Sequence, residues 1–163
     1  MKRLFVLAAA ASAALLVVVA VSAGTGHNPG RGHDHGRGEG GKTLTVVERA
    51  KTDAVTNGDA AHDAAGNILT FANDVYDQAN ATKVGSDQGS CTRIVVGKSW
   101  ECAWTTFLPG GQITVEGPFF DTGDSTLAIT GGTGAYRNVR GEMQLQYRNP
   151  AGTEFNFVFH LIG

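Results

Sequence analysis

Polar and apolar residues alternate along several segments of the chain. In residues 112–116 (QITVE) the apolar side chains are Ile113 and Val115, and the same period of two runs through residues 142–148 (EMQLQYR) and 153–162 (TEFNFVFHLI). This period places successive side chains on opposite faces of an extended chain. Each segment is therefore predicted to form a β-strand with one buried face, and the aromatic side chains of the last segment predict a thick core or a subunit interface.

Further extended segments are recognised by β-branched and aromatic residues between turn formers. They are residues 44–48, 67–76 and 125–130, and the two arms of a hairpin at 91–104. Together with the alternating segments they make about eight strands, and no segment of the domain predicts a helix. The sequence therefore predicts an all-β fold, either a barrel or a sandwich, and about eight antiparallel strands favour closure into an eight-stranded barrel around a small cavity.

Glycine and proline mark the predicted breaks between strands. Residues 51–66 and 77–89 carry several turn formers and are interpreted as loops. For Asp87 and Gln88 the alternative to a turn role is a position facing the cavity. Gly117–Pro118 is predicted to end a strand, because proline donates nothing to a ladder. Residues 131–134 (GGTG) predict a tight turn rather than a phosphate-binding loop, since no helix is predicted to follow them.

The N-terminal residues have the features of an export signal. Lys2 and Arg3 precede an apolar run that ends in small residues of the kind a signal peptidase reads. Residues 1–23 are therefore predicted to be a signal peptide, and the protein to be secreted with no membrane anchor after cleavage. The alternative is an uncleaved anchor, since the run approaches spanning length. Cleavage removes two positive charges and changes the formal net charge from −2 to −4, so nucleic acid is a poor candidate partner.

Residues 24–42 form a glycine- and histidine-rich segment without a large apolar side chain. Such a segment cannot bury enough surface to offset its ordering entropy, so it is predicted to be a flexible leader before a barrel domain at residues 43–163. His27, His33 and His35 leave metal binding by the leader as an alternative. No cofactor and no metal site are predicted for the barrel.

Cys91 and Cys102 are the only cysteines, and they fall on opposite arms of the predicted hairpin. A loop at residues 95–98 would place them directly opposite each other. The predicted export favours a disulfide between them. The alternative is a reactive thiol at Cys91, for which no neighbour supplies an activating base.

Three segments of the chain resemble the allene oxide cyclases. They are residues 84–94 (VGSDQGSCTRI), 112–145 (QITVEGPFFDTGDSTLAITGGTGAYRNVRGEMQL) and 155–161 (FNFVFHL). Residues 131–141 (GGTGAYRNVRG) are similar, more distantly, to the G-G-T-G-x-F-x-x-A-R-G pattern of the dirigent proteins. The resemblance implies an eight-stranded antiparallel barrel of the lipocalin-like kind, which often assembles as a homotrimer and holds a small hydrophobic ligand in its cavity.

The same resemblance assigns candidate catalytic residues. Asn73 matches a pocket asparagine of the cyclases, and Glu48 is the acidic residue that the first strand offers; both would polarise the substrate. Asp77 and Arg140 stand where dirigent proteins carry an aspartate and an arginine that steer or protonate quinone-methide intermediates. The sequence departs from the cyclases at Thr122, which replaces a tyrosine, and in the first strand, which lacks their asparagine.

Two functions follow from these observations. The first is a secreted isomerase or cyclase that folds a reactive apolar substrate inside the barrel, where shape and exclusion of water do most of the work. The alternative is a non-catalytic secreted barrel that binds a small ligand or serves as an interaction module.

Overall fold

The computed structural model of the protein describes residues 41–56 and 62–163, and nine β-strands lie in these ranges. They are β1 (Lys42–Arg49), β2 (Ala54–Thr56), β3 (Ile68–Asp77), β4 (Lys83–Val95), β5 (Ser99–Leu108), β6 (Gly111–Phe120), β7 (Ser125–Gly134), β8 (Arg140–Tyr147) and β9 (Glu154–Ile162). Within the described ranges, no helix is long and apolar enough to cross a membrane. The predicted signal peptide and residues 24–40 of the predicted leader lie outside the described residues.

The strands form a closed antiparallel barrel, which confirms the predicted fold class. Each strand from β3 to β9 pairs with the next along the chain, and β1 pairs with both β9 and β3. These eight strands make the barrel, and β2 is an additional strand that pairs with β3. Because every connection joins neighbours, the barrel has the up-and-down topology in which interior and exterior side chains alternate.

The short strand β2 was not expected, since residues 51–66 were interpreted as a loop. β1 pairs with the C-terminal part of β3, at Asp74 to Asp77, and β2 pairs with its N-terminal part, at Ile68 to Thr70. β1 and β2 therefore lie along the same side of β3, and the pairing on that side is interrupted between Arg49 and Ala54. A three-residue strand without alternation has too little pattern to be recognised in a sequence.

The core is the inward face of the barrel. On β9 the predicted alternation is confirmed, because Phe155, Phe157, Phe159 and Leu161 are each no more than 7% exposed. The ring of Phe157 lies 5.5 Å from that of Trp104 on β5, so the aromatic side chains meet across the interior. Burying one such side chain stabilises the fold by roughly 1.5–3 kcal/mol, and the aromatic face of β9 is thus a main source of barrel stability.

Two predicted breaks lie inside strands. β4 begins at Lys83, so most of the segment 77–89 is strand, and only the residues just after Asp77 turn. β6 continues through Pro118 to Phe120. Its ladder to β7 ends at Glu116, and beyond this point the strand pairs with β5 alone. A strand with one neighbour tolerates the missing N–H of proline, as edge strands do.

The glycine cluster at residues 131–134 is also strand rather than turn. It is the last part of β7, and the turn follows at residues 135–138. A Cβ atom on Gly132 would lie 2.3 Å from the carbonyl oxygen of Tyr136 and 2.7 Å from that of Gln112. Glycine is required at this position because two other backbone segments approach it closely, beside a bulge between Thr114 and Val115 of β6.

Candidate functional site

A cavity lined by aromatic side chains lies inside the barrel. The space between its lining atoms, including the open mouth, is about 380 Å³. Its aromatic walls are Phe71, Trp104, Phe119, Phe155 and Phe157; the remaining lining residues are Glu48, Asp53, Leu69, Cys91, Cys102 and Leu145. The cavity is therefore mostly apolar, with a few polar groups at defined positions, as is typical of small-molecule sites.

The disulfide predicted between Cys91 and Cys102 is confirmed, and it forms part of the cavity wall. The two residues are directly opposite each other on β4 and β5, and both are buried. The alternative of a reactive thiol at Cys91 is therefore excluded. In the loop-entropy model, a bridge across so short a loop stabilises the fold by roughly 3 kcal/mol.

Asn73 binds the segment between β1 and β2, beside the cavity. Its side-chain oxygen accepts hydrogen bonds from the backbone N–H groups of Lys51 and Thr52 at 2.9 and 3.0 Å, and from the Thr52 hydroxyl at 3.1 Å. Its side-chain nitrogen donates to Glu48 at 2.9 Å and to Asp53 at 3.0 Å. Where the pairing with β3 is interrupted between β1 and β2, the amide thus binds the intervening backbone, and it fixes two carboxylates beside the cavity.

Glu48 and Asp87 form a buried carboxyl pair next to this amide. Their exposed fractions are 6% and 2%. Burial raises the pKa of Glu48 to about 7, although the hydrogen bond from Asn73 opposes the shift. Burial, followed by the charge of Glu48, raises the pKa of Asp87 to about 9. The two groups titrate as a pair that retains a proton at neutral pH.

The hydrogen-bond partners of this pair favour a proton on Asp87. Its Oδ1 accepts a hydrogen bond from the backbone N–H of Asn73 at 3.2 Å. Its Oδ2 is buried and has no N–H or hydroxyl partner among the described residues. When the Asp87 carboxyl carries a proton it can donate to Glu48, which lies within hydrogen-bonding reach. The ionised Glu48 is then stabilised by two donors, Asp87 and Asn73, and it is the group that gains and loses a proton near neutral pH.

The other two sequence candidates lie away from this cluster. The Asp77 carboxylate accepts hydrogen bonds from the backbone N–H groups of Ala81 and Thr82, which hold its pKa below the ordinary value. Asp77 thus closes the turn between β3 and β4. Arg140 is exposed at the start of β8, opposite Ile162 at the end of β9. The structure therefore brings Glu48 and Asn73 together, but not Asp77 or Arg140.

Asp53 was not selected from the sequence, and Asp87 was considered as a cavity-facing residue but not included among the candidate catalytic residues. Asp87 had an available signal, because it lies an even number of residues before Cys91 and hence on the same strand face. The glycines on either side of it indicated a turn instead. Asp53 has no local signal, since it is exposed and reaches the cavity only because Asn73 binds it. Among residues 41–56 and 62–163, no group of three or more His, Cys, Asp or Glu side chains is arranged to hold a metal ion.

Comparison with known proteins identifies the same barrel in several solved structures. A pyocyanin demethylase superposes with a TM-score of 0.58 at 23% identity, over 72% of this chain and 100% of the other. A pterocarpan synthase dirigent protein gives 0.60 at 21% identity, over 78% and 99%. An exo-specific intermolecular Diels-Alderase gives 0.54 at 18% identity, over 76% and 100%. At these identities the likeness concerns the fold alone. The family model described as allene oxide cyclase matches residues 44–162, and the protein belongs to that family.

Proposed function

We propose that the protein binds a small, flat, mostly apolar molecule in its barrel and isomerises or cyclises it by proton transfer through Glu48. The observation that carries the proposal is the position of the Glu48 carboxyl, which lines an aromatic cavity and has a pKa of about 7. A base with this pKa is half ionised at neutral pH, where it can both accept and return a proton. Most surface carboxylates are too weakly basic for this task.

The neighbouring residues fit distinct supporting roles. Asp87 and Asn73 donate hydrogen bonds that hold the Glu48 carboxylate in one orientation. The aromatic walls exclude water and position a flat substrate, so that Glu48 removes a proton from one atom and returns it to another. Such an isomerisation or ring closure needs no cofactor, since no net oxidation or reduction occurs. In this scheme Glu48 is the catalytic residue, and Asn73 and Asp87 are positioning residues.

The names of the structural neighbours support a ring-forming or ring-altering reaction. One neighbour is a Diels-Alderase and another is a pterocarpan synthase dirigent protein. Proteins with this fold thus include one named for a Diels-Alder reaction and one named for pterocarpan synthesis. Their identity to this chain is too low to transfer a substrate, so the proposal depends on the residues of this cavity.

The proposal can be tested with 5-nitrobenzisoxazole, a flat bicyclic probe. Its elimination starts when a base removes the C–H proton; the C–H electrons then form a nitrile and the N–O bond breaks to give a coloured cyanophenolate. We expect the protein to accelerate this reaction with a rate that rises through about pH 7. Glu48→Gln should reduce the rate by about 100-fold or more.

Two further variants make this test specific. Glu116→Gln, at an exposed position on β6, should leave the rate unchanged. Asp87→Asn should leave the midpoint of the rate profile near pH 7 or move it slightly upward, because an amide N–H is a weaker donor to the Glu48 carboxylate than the protonated carboxyl that it replaces. Equal rates for the protein and Glu48→Gln would overturn catalysis by Glu48. Tight binding of the probe without elimination would instead support the non-catalytic ligand-binding barrel.

We also propose that the protein is exported and assembles as a homotrimer. The disulfide supports an oxidising compartment, since such bonds are rare in the cytosol. Intact-mass measurement of protein collected outside the cell is expected to find a chain that begins at residue 24. Native mass spectrometry of the same sample is expected to give the trimer, and a monomer at micromolar concentration would refute the assembly.

A further inference from the structure

We propose that the cavity selects flat aromatic ligands that carry a positive charge. This inference rests on the proposed function, because it names the substrate class of the same site. It is drawn from three features of the cavity: the sign of its charged groups, its aromatic walls, and a buried polar group that has no partner among the described residues.

The charged residues that line the cavity are both acidic. Glu48 and Asp53 contribute carboxylates, and no lysine, arginine or histidine is among the lining residues. Both carboxylates share the amide of Asn73, which is uncharged. Coulomb attraction at short range in an apolar cavity is much stronger than in water. A ligand cation would therefore supply the charge that the lining residues do not.

Two arginines near the cavity are occupied elsewhere. Arg49 donates to the side chain of Asn80 at 2.9 Å and stacks on the Tyr76 ring at 3.7 Å. Arg93 donates to both carboxylate oxygens of Asp121 at 2.7 Å. Because each arginine already has close partners, neither is available to neutralise the carboxylates that line the cavity.

The aromatic walls also favour a cation. Trp104 and Phe157 pack with their ring centres 5.5 Å apart, and Phe71 meets Trp104 edge to face at 6.0 Å. The faces of such rings are electronegative, and tryptophan attracts cations most strongly. A flat cation stacked on this wall would gain from the rings and the carboxylates together, whereas a flat anion would be repelled by both.

Trp104 provides an independent indication that a ligand belongs here. It lines the cavity and is 5% exposed, yet its indole N–H has no acceptor among the described residues. Most buried indole N–H groups are hydrogen-bonded. An oxygen or nitrogen acceptor on the ligand would satisfy it, so the site fits a heteroaromatic cation better than a hydrocarbon.

The test compares three bicyclic probes of nearly equal size, each with a methoxy group at position 6 whose oxygen can accept from the Trp104 indole N–H: 1-methylquinolinium, which is cationic, quinoline, which is neutral at pH 8, and 1-naphthoate, which is anionic. Titration calorimetry at pH 8 should give about tenfold tighter binding for 1-methylquinolinium than for quinoline. 1-Naphthoate should bind least. Glu48→Gln and Asp53→Asn should each weaken the cation several-fold and change quinoline little, while Glu116→Gln should change neither.

The variant Asp53→Asn is expected to fold normally, because Asp53 is exposed and asparagine keeps an acceptor for Asn73. Weaker cation binding by this variant therefore does not reflect misfolding. Equal affinities for the cation and for quinoline, or tightest binding of 1-naphthoate, would overturn the proposed charge preference. The elimination assay separates the two proposals. Elimination that depends on Glu48 without a charge preference refutes only the ligand class, whereas the absence of both probe binding and elimination refutes both.

Discussion

Replacing Asp87 by asparagine should change how the stability of the barrel depends on pH. Asparagine has nearly the same shape, and its oxygen can keep the hydrogen bond from the Asn73 backbone N–H. Its amide N–H group can donate to Glu48, as the protonated carboxyl does in the native protein. The variant therefore removes a titrating group from the buried pair while preserving its contacts.

The size of the effect follows from the raised pKa values. In the unfolded chain both carboxyls lose their protons near pH 4, but in the folded protein Glu48 retains its proton to about pH 7 and Asp87 to about pH 9. The folded state therefore binds more protons above pH 4, and stability falls as pH rises. Each retained proton contributes a slope of about 1.4 kcal/mol per pH unit. For Asp87 this sets an upper limit of about 4 kcal/mol between pH 4 and 7.

Urea unfolding, followed by tryptophan fluorescence at several pH values from 4.5 to 9, measures this slope directly. The native protein should lose stability throughout the range. Asp87→Asn should be more stable than the native protein at pH 7 and much less sensitive to pH, whereas the exposed control Glu116→Gln should follow the native curve. If the slopes of Asp87→Asn and the native protein coincide between pH 5 and 7, Asp87 does not retain its proton in the fold.

Three further substitutions examine the supports of the cavity. Replacing both Cys91 and Cys102 by alanine should lower the free energy of unfolding by roughly 2–3 kcal/mol, and reducing agent should then have no additional effect on the urea midpoint. Asn73→Ala leaves two backbone N–H groups without their acceptor and should cost roughly 2–4 kcal/mol; native-level stability would contradict its bridging role. Gly89→Ala places a Cβ atom 2.2 Å from that of Trp104, so we expect it to fold poorly, with low soluble yield as the readout.

The alternation in β6, β8 and β9 predicted strands with one buried face, which a barrel and a sandwich share; the number of strands and the resemblance to the family then indicated the barrel. The same reasoning failed where a glycine or proline had more than one possible structural role. Gly89 and Gly132 indicated turns, yet they are required where another chain segment passes within contact distance. A sequence records that a side chain is absent there, but it does not record whether a turn or a neighbouring strand requires its absence.

The candidate site was predictable in part for a related reason. Glu48 and Asn73 were found through their resemblance to family positions, and the structure places them 2.9 Å apart. Asp87 lies directly opposite Asn73 in the ladder between β3 and β4, but this register depends on where the turn between those strands is made. The position of Asp53 beside Asn73 depends on the break between β1 and β2. Neither the register nor the break leaves a periodic signal in the chain.

The position of β1 between β3 and β9 has a consequence for the folding kinetics. All other barrel pairings join consecutive strands, whereas β1 must meet residues at the far end of the chain: Thr43 pairs with His160, 117 positions away. Closing so long a loop has a large entropic cost that is recovered only when both ladders of β1 form. We therefore expect the row of hairpins from β3 to β9 to assemble first, and β1 to dock late. Substitutions at Val46 should then accelerate unfolding and leave the folding rate almost unchanged, and stopped-flow measurements that found slower folding instead would place β1 in the nucleus.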